Sequence, residues 1–345
     1  MIRRLHKPCT ATVNNCEPMG SDSPLKCISK RVMNRTMKGA AMQRLSRRLM
    51  KTVILLGVLA STLLAPRAFA GDTEKAKESY NKGIEAMKKG DTTTAILSYQ
   101  AAIAADENFA DAYLNLGVIY FGQKNYDKAL EMFTKASEKA PDNVDAFANL
   151  GRVEYVLHKY PEAETAYQQA IKLSPDDAGL YAELGKVYFR KRNFPQLIQT
   201  LETCHQKGGG DYITWFMLGK AYNEKGQTDK AVAALKKSIS LKNKNYNAHF
   251  TLGRIYLNQE KYLKAAKEFK AALKASPKKF RAAYNYAAAM EYSNPEAYDV
   301  NIKNWQRFIR LAKKNPKARK DVAVARKHVD ELKKALKISK LNGNG

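Results

Sequence analysis

Apolar residues recur three or four positions apart along most of the chain, in paired segments that short polar stretches separate. This spacing places them on one face of an α-helix, and the polar stretches are typical of turns. Residues 110–143 show the pattern most completely, and Pro141 ends the second segment because proline lacks a backbone N–H. The apolar positions of the two predicted helices are Tyr113, Leu116, Gly117 and Tyr120, followed by Ala129, Phe133 and Ala136.

The same arrangement returns each time the frame moves by 34 residues. Six units begin at residues 76, 110, 144, 178, 212 and 246, and a looser seventh begins at 280. Their eighth position is always glycine: Gly83, Gly117, Gly151, Gly185, Gly219 and Gly253. This period, with small and aromatic residues at fixed positions, resembles the tetratricopeptide repeat.

The resemblance implies an all-α fold, a right-handed superhelical solenoid of about seven helix-turn-helix repeats with a C-terminal capping helix. A single helical hairpin cannot bury both of its faces, so neighbouring units stack into one core with a concave and a convex side. We expect the glycine at position 8 and the alanine at position 20 to let the helices of a unit approach closely. The aromatic residues at positions 4, 11 and 24 are then expected to fill the space between units.

The first 70 residues differ from the repeats. Residues 1–41 are basic and lack apolar periodicity, and we interpret them as a non-native upstream extension or a disordered leader. Residues 42–70 predict a secretory signal peptide, since basic residues precede the apolar run 53–64 and Ala68-Phe69-Ala70 is a typical cleavage site. The run is shorter than the roughly 20 residues of a membrane-spanning helix. We therefore expect cleavage after Ala70, no membrane span in the mature chain, and a periplasmic or secreted product.

The mature chain is predicted to comprise a solenoid over 71–316 and a basic capping helix with its tail over 317–345. The whole sequence has a formal net charge of +27, but the charge is uneven. Residues 71–211 carry 17 basic and 21 acidic groups, whereas residues 212–345 carry 30 and 10. The C-terminal half is therefore expected to attract anions.

Three glycines, Gly208 to Gly210, replace the usual terminating proline where the charge changes sign. Two interpretations stay open there: a hinge between the halves, or a tight turn within an unbroken superhelix, which the kept register favours. The last helix carries Val322, Val329 and Leu336 on one face. That face predicts capping of the solenoid, and its lack of Trp or Phe counts against a membrane-surface helix.

The sequence contains no motif of a known catalytic or metal site. The pairs Gly185-Lys186 and Gly219-Lys220 lack the glycine spacing and the following Ser or Thr of a phosphate-binding loop. The histidines after residue 70 show no spacing typical of a zinc site or a catalytic triad. We expect a protein that is not an enzyme and holds no cofactor or metal.

Cys204 is the only cysteine of the predicted mature chain, so that chain cannot form an internal disulfide. It occupies a position where the other units have alanine or serine. A small packing residue is the favoured interpretation, and a reactive thiol or an intermolecular bridge is the alternative.

In the tetratricopeptide repeat the first helix of each unit lines the concave groove, and the resemblance implies that positions 2, 5, 9 and 12 point into it. Position 9 is apolar in the first two units, Ile84 and Val118, and cationic in the next four. Aromatic residues flank these cations. The predicted partner-binding residues are Arg152, Tyr155, Lys186, Phe189, Phe216, Lys220, Phe250 and Arg254. The amides predicted to bind a peptide backbone are Asn81, Asn115 and Asn149.

Two functions follow from this reading. The first is a protein-interaction scaffold of the cell envelope that holds an extended or helical acidic segment of a partner protein, in assembly or secretion. The second is an electrostatic tether whose basic C-terminal half binds a polyanion, such as anionic lipid or an envelope polysaccharide. Nucleic acid is the weakest candidate because the chain is predicted to be exported. Polyanion binding is expected to fall steeply with salt, and groove binding only in part.

Overall fold

The structure, a computed structural model, describes residues 66–342 of the chain. They belong to one compact unit that spans Arg67–Gly345. Residues 1–65, which include Cys9, Cys16, Cys27 and most of the predicted signal peptide, lie outside the described residues. The described part contains fifteen α-helices and a single short 3-10 helix.

The helices follow one another as antiparallel pairs. In chain order they are α1 Pro66–Lys88, α2 Thr92–Ala105, α3 Ala110–Gly122, α4 Tyr126–Lys139, α5 Val144–Val156, α6 Tyr160–Leu173, α7 Ala178–Lys191, α8 Phe194–Gln206, α9 Tyr212–Glu224, α10 Thr228–Leu241, α11 Tyr246–Asn258, α12 Tyr262–Ala275, α13 Phe280–Ser293, α14 Tyr298–Ala312 and α15 Arg319–Asn342, with the 3-10 helix Pro316–Ala318 before α15. The first helices α3, α5, α7, α9, α11 and α13 begin at the residues where the sequence units begin. The all-helical repeat architecture with a long C-terminal helix is confirmed.

Each unit turns between its two helices through the same backbone conformation. The residue at position 15 has a positive φ in all six complete units. Glycine, which adopts this conformation without strain, occupies it only at Gly90 and Gly226. The other four units place a side chain there: Lys124, His158, Arg192 and Glu260. The turn is therefore imposed by the packing of the two helices, and the identity of the turn residue does not decide it.

The closest contact within a unit lies between the glycine at position 8 and the side chain at position 24. A Cβ atom on Gly117 would lie 2.6 Å from Cε1 of Phe133, and one on Gly253 would lie 2.8 Å from Cε1 of Phe269. In the fourth and fifth units a leucine takes the place of the ring, at Leu201 and Leu235. The expectation that position 24 fills the space between units was thus incomplete, because its side chain first covers the glycine of its own unit.

The core continues across the three glycines Gly208 to Gly210. Cys204 is fully buried, its Sγ donates to the carbonyl oxygen of Ala178 at 3.3 Å, and burial raises the pKa of its thiol. The N–H of Gly209 donates to the carbonyl oxygen of Cys204 at 3.0 Å, and a Cβ there would collide with Ala178. These contacts favour a tight, close-packed turn over a hinge, and they make Cys204 a small core residue.

The long helix α15 packs on α14 and covers the end of the apolar core. Val322, Ala325, Val329 and Leu332 are buried in one cluster with Trp305 and Phe308 of α14. A polar network holds this helix at its centre. The Glu291 carboxylate accepts from Trp305 Nε1 at 2.6 Å and lies 2.8 Å from His328 Nε2. The His328 interaction lowers the pKa of Glu291 although burial opposes it, and the carboxylate raises the pKa of His328.

The glycine contact predicts opposite effects for two alanines in one helix. Gly117→Ala places a Cβ against Phe133 and is expected to lower the free energy of unfolding by about 1–3 kcal/mol. Gly122→Ala lies at the end of α3 with nothing within 4 Å, so it is expected to be neutral or slightly stabilising. Urea unfolding of the full chain, followed by circular dichroism, measures both. Equal effects of the two changes would show that the glycine contact is not tight.

The Glu291–His328 pair predicts a pH window for the stability of α15. His328 has a raised pKa, so its contribution is complete below its unfolded pKa and is lost as pH rises through the folded value. Glu291 has a lowered pKa, so its contribution is present above its unfolded pKa and is lost as pH falls through the folded value. The thermal midpoint of the full chain is therefore expected to peak between about pH 4.5 and 6.5.

In the variant His328→Asn this maximum is expected to flatten. His158→Asn is the control because His158 is exposed and its ring contacts only Tyr160 among the described residues. A pH profile that His328→Asn leaves unchanged would contradict the role of the pair.

Candidate partner-binding groove

The first helices bring positions 9 and 12 of neighbouring units into contact. The guanidinium carbon of Arg152 on α5 lies 4.8 Å from the ring centroid of Phe121 on α3. One pair of units further along, Lys220 Nζ on α9 lies 5.2 Å from the ring centroid of Phe189 on α7. At these two places the side chain at position 9 covers the ring at position 12 of the preceding unit. We call the strip formed by positions 5, 9 and 12 of the first helices the groove face.

The middle of the groove face is already partnered within the chain. Lys186 Nζ pairs with the carboxylate of Glu183 at 2.5 Å, three residues before it on α7. Arg190, a residue that the sequence analysis did not single out, donates from Nε to the hydroxyl of Tyr155 at 3.1 Å. Its guanidinium also lies 5.9 Å from the Tyr155 ring centroid. The pair Glu183–Lys186 could have been predicted from its spacing of three residues on one helix. No pattern at position 13 of the repeat predicts the contact of Arg190 with Tyr155.

Arg254 differs from the other three predicted cations. Its side chain is exposed and forms no ion pair or cation–π contact with any residue between 66 and 342. Position 12 of the preceding unit is Asn223, so the register offers Arg254 an amide where Arg152 and Lys220 have a ring. Among the four, Arg254 is the one with neither an ion pair nor a ring contact among the described residues.

The aromatic residues of this part of the groove face are half-buried and packed against the core. Phe189 and Phe216 have ring centroids 6.5 Å apart. Phe250 stacks on Tyr246 with a centroid separation of 5.5 Å and lies 5.8 Å from the ring of Phe269. The rings are fixed by these contacts, so a partner would meet a preformed apolar surface beside Lys220 and Arg254.

The three predicted amides do not form a free set of donors. Asn115 Nδ2 donates to the hydroxyl of Tyr80 at 2.9 Å, and Asn149 Nδ2 donates to the carbonyl oxygen of Asp145 at 2.8 Å. Asn81 is exposed. Because Asn115 and Asn149 each already use an N–H within the chain, their role in binding a backbone is reduced to the remaining N–H and the carbonyl.

A buried carboxyl lies on α5 close to Arg152 in sequence. Glu154 occupies position 11, where the neighbouring units have Tyr120 and Tyr188, and its Oε2 is buried without a hydrogen-bond partner among the described residues. Burial, aided by the charge of Glu162, raises the pKa of Glu154 to about 7. At neutral pH this side chain is thus partly protonated.

Two other kinds of site are absent from the described residues. Between residues 66 and 342 no group of three or more His, Cys, Asp or Glu side chains is arranged to hold a metal ion. Within the same range no helix is both long and apolar enough to cross a membrane.

A family model matches most of this chain. The model describes the tetratricopeptide-repeat C-terminal domain of cilia and flagella-associated protein 70, and it matches residues 32–276. The chain belongs to this tetratricopeptide repeat family. Proteins with such repeats bind protein partners, and the scaffold usually carries no catalytic machinery.

Two curated relatives match shorter parts of this family member. Superkiller complex protein 3 of Mus musculus is 34% identical over 105 residues, which are 30% of this chain and 6% of that protein. Photosystem I assembly protein Ycf3 of Prochlorococcus marinus is 29% identical over 87 residues, which are 24% of this chain and 50% of that protein. The match thus spans half of the second relative and a small part of the first.

Solved structures share the fold of this family member. The C-terminal part of a tetratricopeptide repeat protein from Cytophaga hutchinsonii matches with a TM-score of 0.56 and 21% identity, over 69% of this chain and 97% of that one. The pilF protein of Pseudomonas aeruginosa matches with a TM-score of 0.51 and 18% identity, over 63% and 98%. At these identities the likeness concerns the fold alone.

Proposed function

We propose that this chain is a non-enzymatic scaffold that binds an acidic segment of a partner protein, extended or helical, along the groove face. The observation that carries the proposal is Arg254, an exposed cation without an intramolecular partner, beside Lys220 and the fixed rings of Phe216 and Phe250. An anionic side chain of the partner would supply the negative charge that Arg254 does not find within the chain. The rings would bury the apolar parts of the same segment.

Several units must act together for useful affinity. One exposed ion pair contributes about 0.2–1 kcal/mol. Arg152 and Lys220 keep their charge while they lie over rings, so each can still pair with a carboxylate. Lys186 contributes least, because Glu183 already neutralises it. The acidic segment is therefore expected to depend most on Arg254, with Arg152 and Lys220 contributing next.

The proposal places this scaffold in the cell envelope, as a periplasmic or secreted protein. It rests on the basic residues, apolar run and small-x-small site of residues 42–70. A role in assembly or secretion is part of the proposal, and one relative, the photosystem I assembly protein Ycf3, is a parallel for it.

A second candidate function is the electrostatic tether. Of the 30 basic residues in 212–345, the described ones form a single ion pair with a carboxylate, between Lys333 and Asp330. Such a set of unpaired cations would also attract anionic lipid or an envelope polysaccharide. The tether and the groove differ in which cations carry the binding.

The double variant Arg254→Ala with Lys220→Ala separates the two functions. The probe is a fluorescent peptide with a block of six glutamates and one phenylalanine, titrated with the full chain by anisotropy. We expect the variant to bind about tenfold more weakly at 0.15 M salt, because it removes two cations of adjacent units that no carboxylate of the described residues neutralises. The parent is expected to keep part of its affinity at 0.5 M salt, where the rings still contribute.

The matched control is Lys264→Ala with Lys267→Ala, which removes the same charge from exposed positions on the second helix α12. This control is expected to change affinity by less than about twofold. Equal losses in the two double variants, together with complete loss of binding at 0.5 M salt, would overturn the groove and support the tether.

Export predicts a defined mature terminus. N-terminal sequencing of the protein recovered from the envelope fraction of its natural source is expected to start at Gly71. Recovery of a chain that retains residues 42–70 in the cytoplasmic fraction would overturn the proposed location, without affecting the groove.

A further inference from the structure

The groove face changes character along the solenoid, and the N-terminal section is apolar. Position 9 is Ile84 on α1 and Val118 on α3, where the later units have cations. Val118 is 46% exposed, and Met87, at position 12 of the first unit, is 40% exposed. Exposed aliphatic side chains at successive groove positions cost solvation free energy that a bound partner would recover.

The side chains of this apolar section pack against the core of the N-terminal units. The Tyr80 ring packs against Tyr99 and Phe109, with centroid separations of 5.6 and 5.1 Å, and its hydroxyl accepts from Asn115. Ile84 and Leu114 are half-buried against the same core cluster. The apolar surface is therefore preformed, which lowers the entropy cost of binding a partner.

The apolar and cationic sections are continuous. Phe121, at position 12 of the second unit, packs against the N-terminal core and also carries the guanidinium of Arg152 on its ring. Val118 and Met87 hold positions 9 and 12 of successive units, the repeat positions at which Arg152 contacts Phe121 further along. A chain that leaves the apolar section along the groove face thus reaches the first cation at the next unit.

We infer that the apolar section, formed by Ile84, Met87, Leu114, Val118 and Phe121, binds an apolar anchor on the same partner segment whose carboxylates meet Lys220 and Arg254. This inference rests on the proposed function of the groove. A carboxylate gains no binding free energy beside Val118, and an aliphatic group gains little beside Arg254. The two sections together therefore select a segment that is apolar at one end and acidic at the other. The partner is thereby defined by the order of its residues as well as by its charge.

The geometry also sets the distance between the two ends of that segment. From Val118 to Arg254 there are four unit steps, each on the order of 10 Å if neighbouring helices pack at their usual separation. An extended chain advances about 3.3 Å per residue. In an extended segment, the residue at Val118 and the carboxylate at Arg254 are therefore about twelve residues apart.

Three fluorescent peptides test this inference on the full chain by anisotropy. One carries six glutamates alone, and two carry the same block joined to Leu-Phe-Leu through Gly/Ser spacers of two or twelve residues, made in both chain directions. The long-spacer peptide, in at least one direction, is expected to bind about tenfold tighter than the glutamate block, because both ends then engage together. The short-spacer peptide extends only about 30 Å from its anchor, so it reaches Lys220 but not Arg254 and is expected to gain less. Equal affinities of all peptides would overturn the inference.

Val118→Asn is expected to remove the gain of the long-spacer peptide over the glutamate block. The control Leu97→Asn alters a side chain that is 62% exposed on the second helix α2, and it is expected to keep the gain. If both variants keep the gain, the anchor binds elsewhere and the inference fails. If Val118→Asn instead abolishes self-association in sedimentation while every peptide affinity stays the same, a second copy of this chain covers the section and the inference fails.

The experiments distinguish a failure of this inference from a failure of the proposed function. Loss of glutamate-block binding on Arg254→Ala with Lys220→Ala, without any gain from the apolar anchor, would retain the groove and reject the apolar section as part of it. Absence of binding for every peptide would reject both.

Discussion

The contact between the glycine at position 8 and the side chain at position 24 sets the geometry of every complete repeat. A ring or a leucine from the second helix lies where any Cβ on the first helix would stand, with distances of 2.5 to 3.0 Å to the missing atom in all six units. Because this contact fixes the separation of the two helices, it also fixes the angle at which the next unit stacks. The constant register between units follows from it, and so does the turn with positive φ at position 15, which is held even where the residue is not glycine.

That register turns a pattern in the sequence into a pattern of contacts between units. Position 9 lies over position 12 of the preceding unit at nearly the same distance at two separate places, 4.8 Å for Arg152 and 5.2 Å for Lys220. Two of the cations at position 9 are held against a ring in this way. Lys186 instead pairs with Glu183, and Arg254, whose preceding unit has Asn223 at position 12, has no ring contact among the described residues. The residues around each cation thus decide how far it is available to a partner.

The fold could be predicted from the sequence because the same pattern of residues occurs in six successive units. Six glycines in one register define six helical hairpins, and the helices begin where the units begin. The candidate site was predictable only in part. The cations at position 9 were evident, but the pairing of Lys186 with Glu183 and the cover of Arg190 on Tyr155 depend on rotamers and on neighbouring helices. The occupied amides of Asn115 and Asn149 depend on the same features. The network of Glu291, Trp305 and His328 joins residues up to 37 positions apart. These residues do not follow the 34-residue period, so no periodic pattern in the sequence predicts the network.

The central claim is that carboxylates of a partner lie on the groove face beside Lys220 and Arg254, and a zero-length cross-link tests it most directly. A carbodiimide joins a carboxylate to a lysine amine only when the two are in contact, and mass spectrometry identifies the lysine. With a glutamate-block peptide and the full chain, the account predicts cross-links concentrated on Lys220, with few on Lys264, Lys267 and the lysines of α15. Cross-links concentrated on α12 and α15 would contradict it and would assign the binding to the basic surface of the C-terminal half.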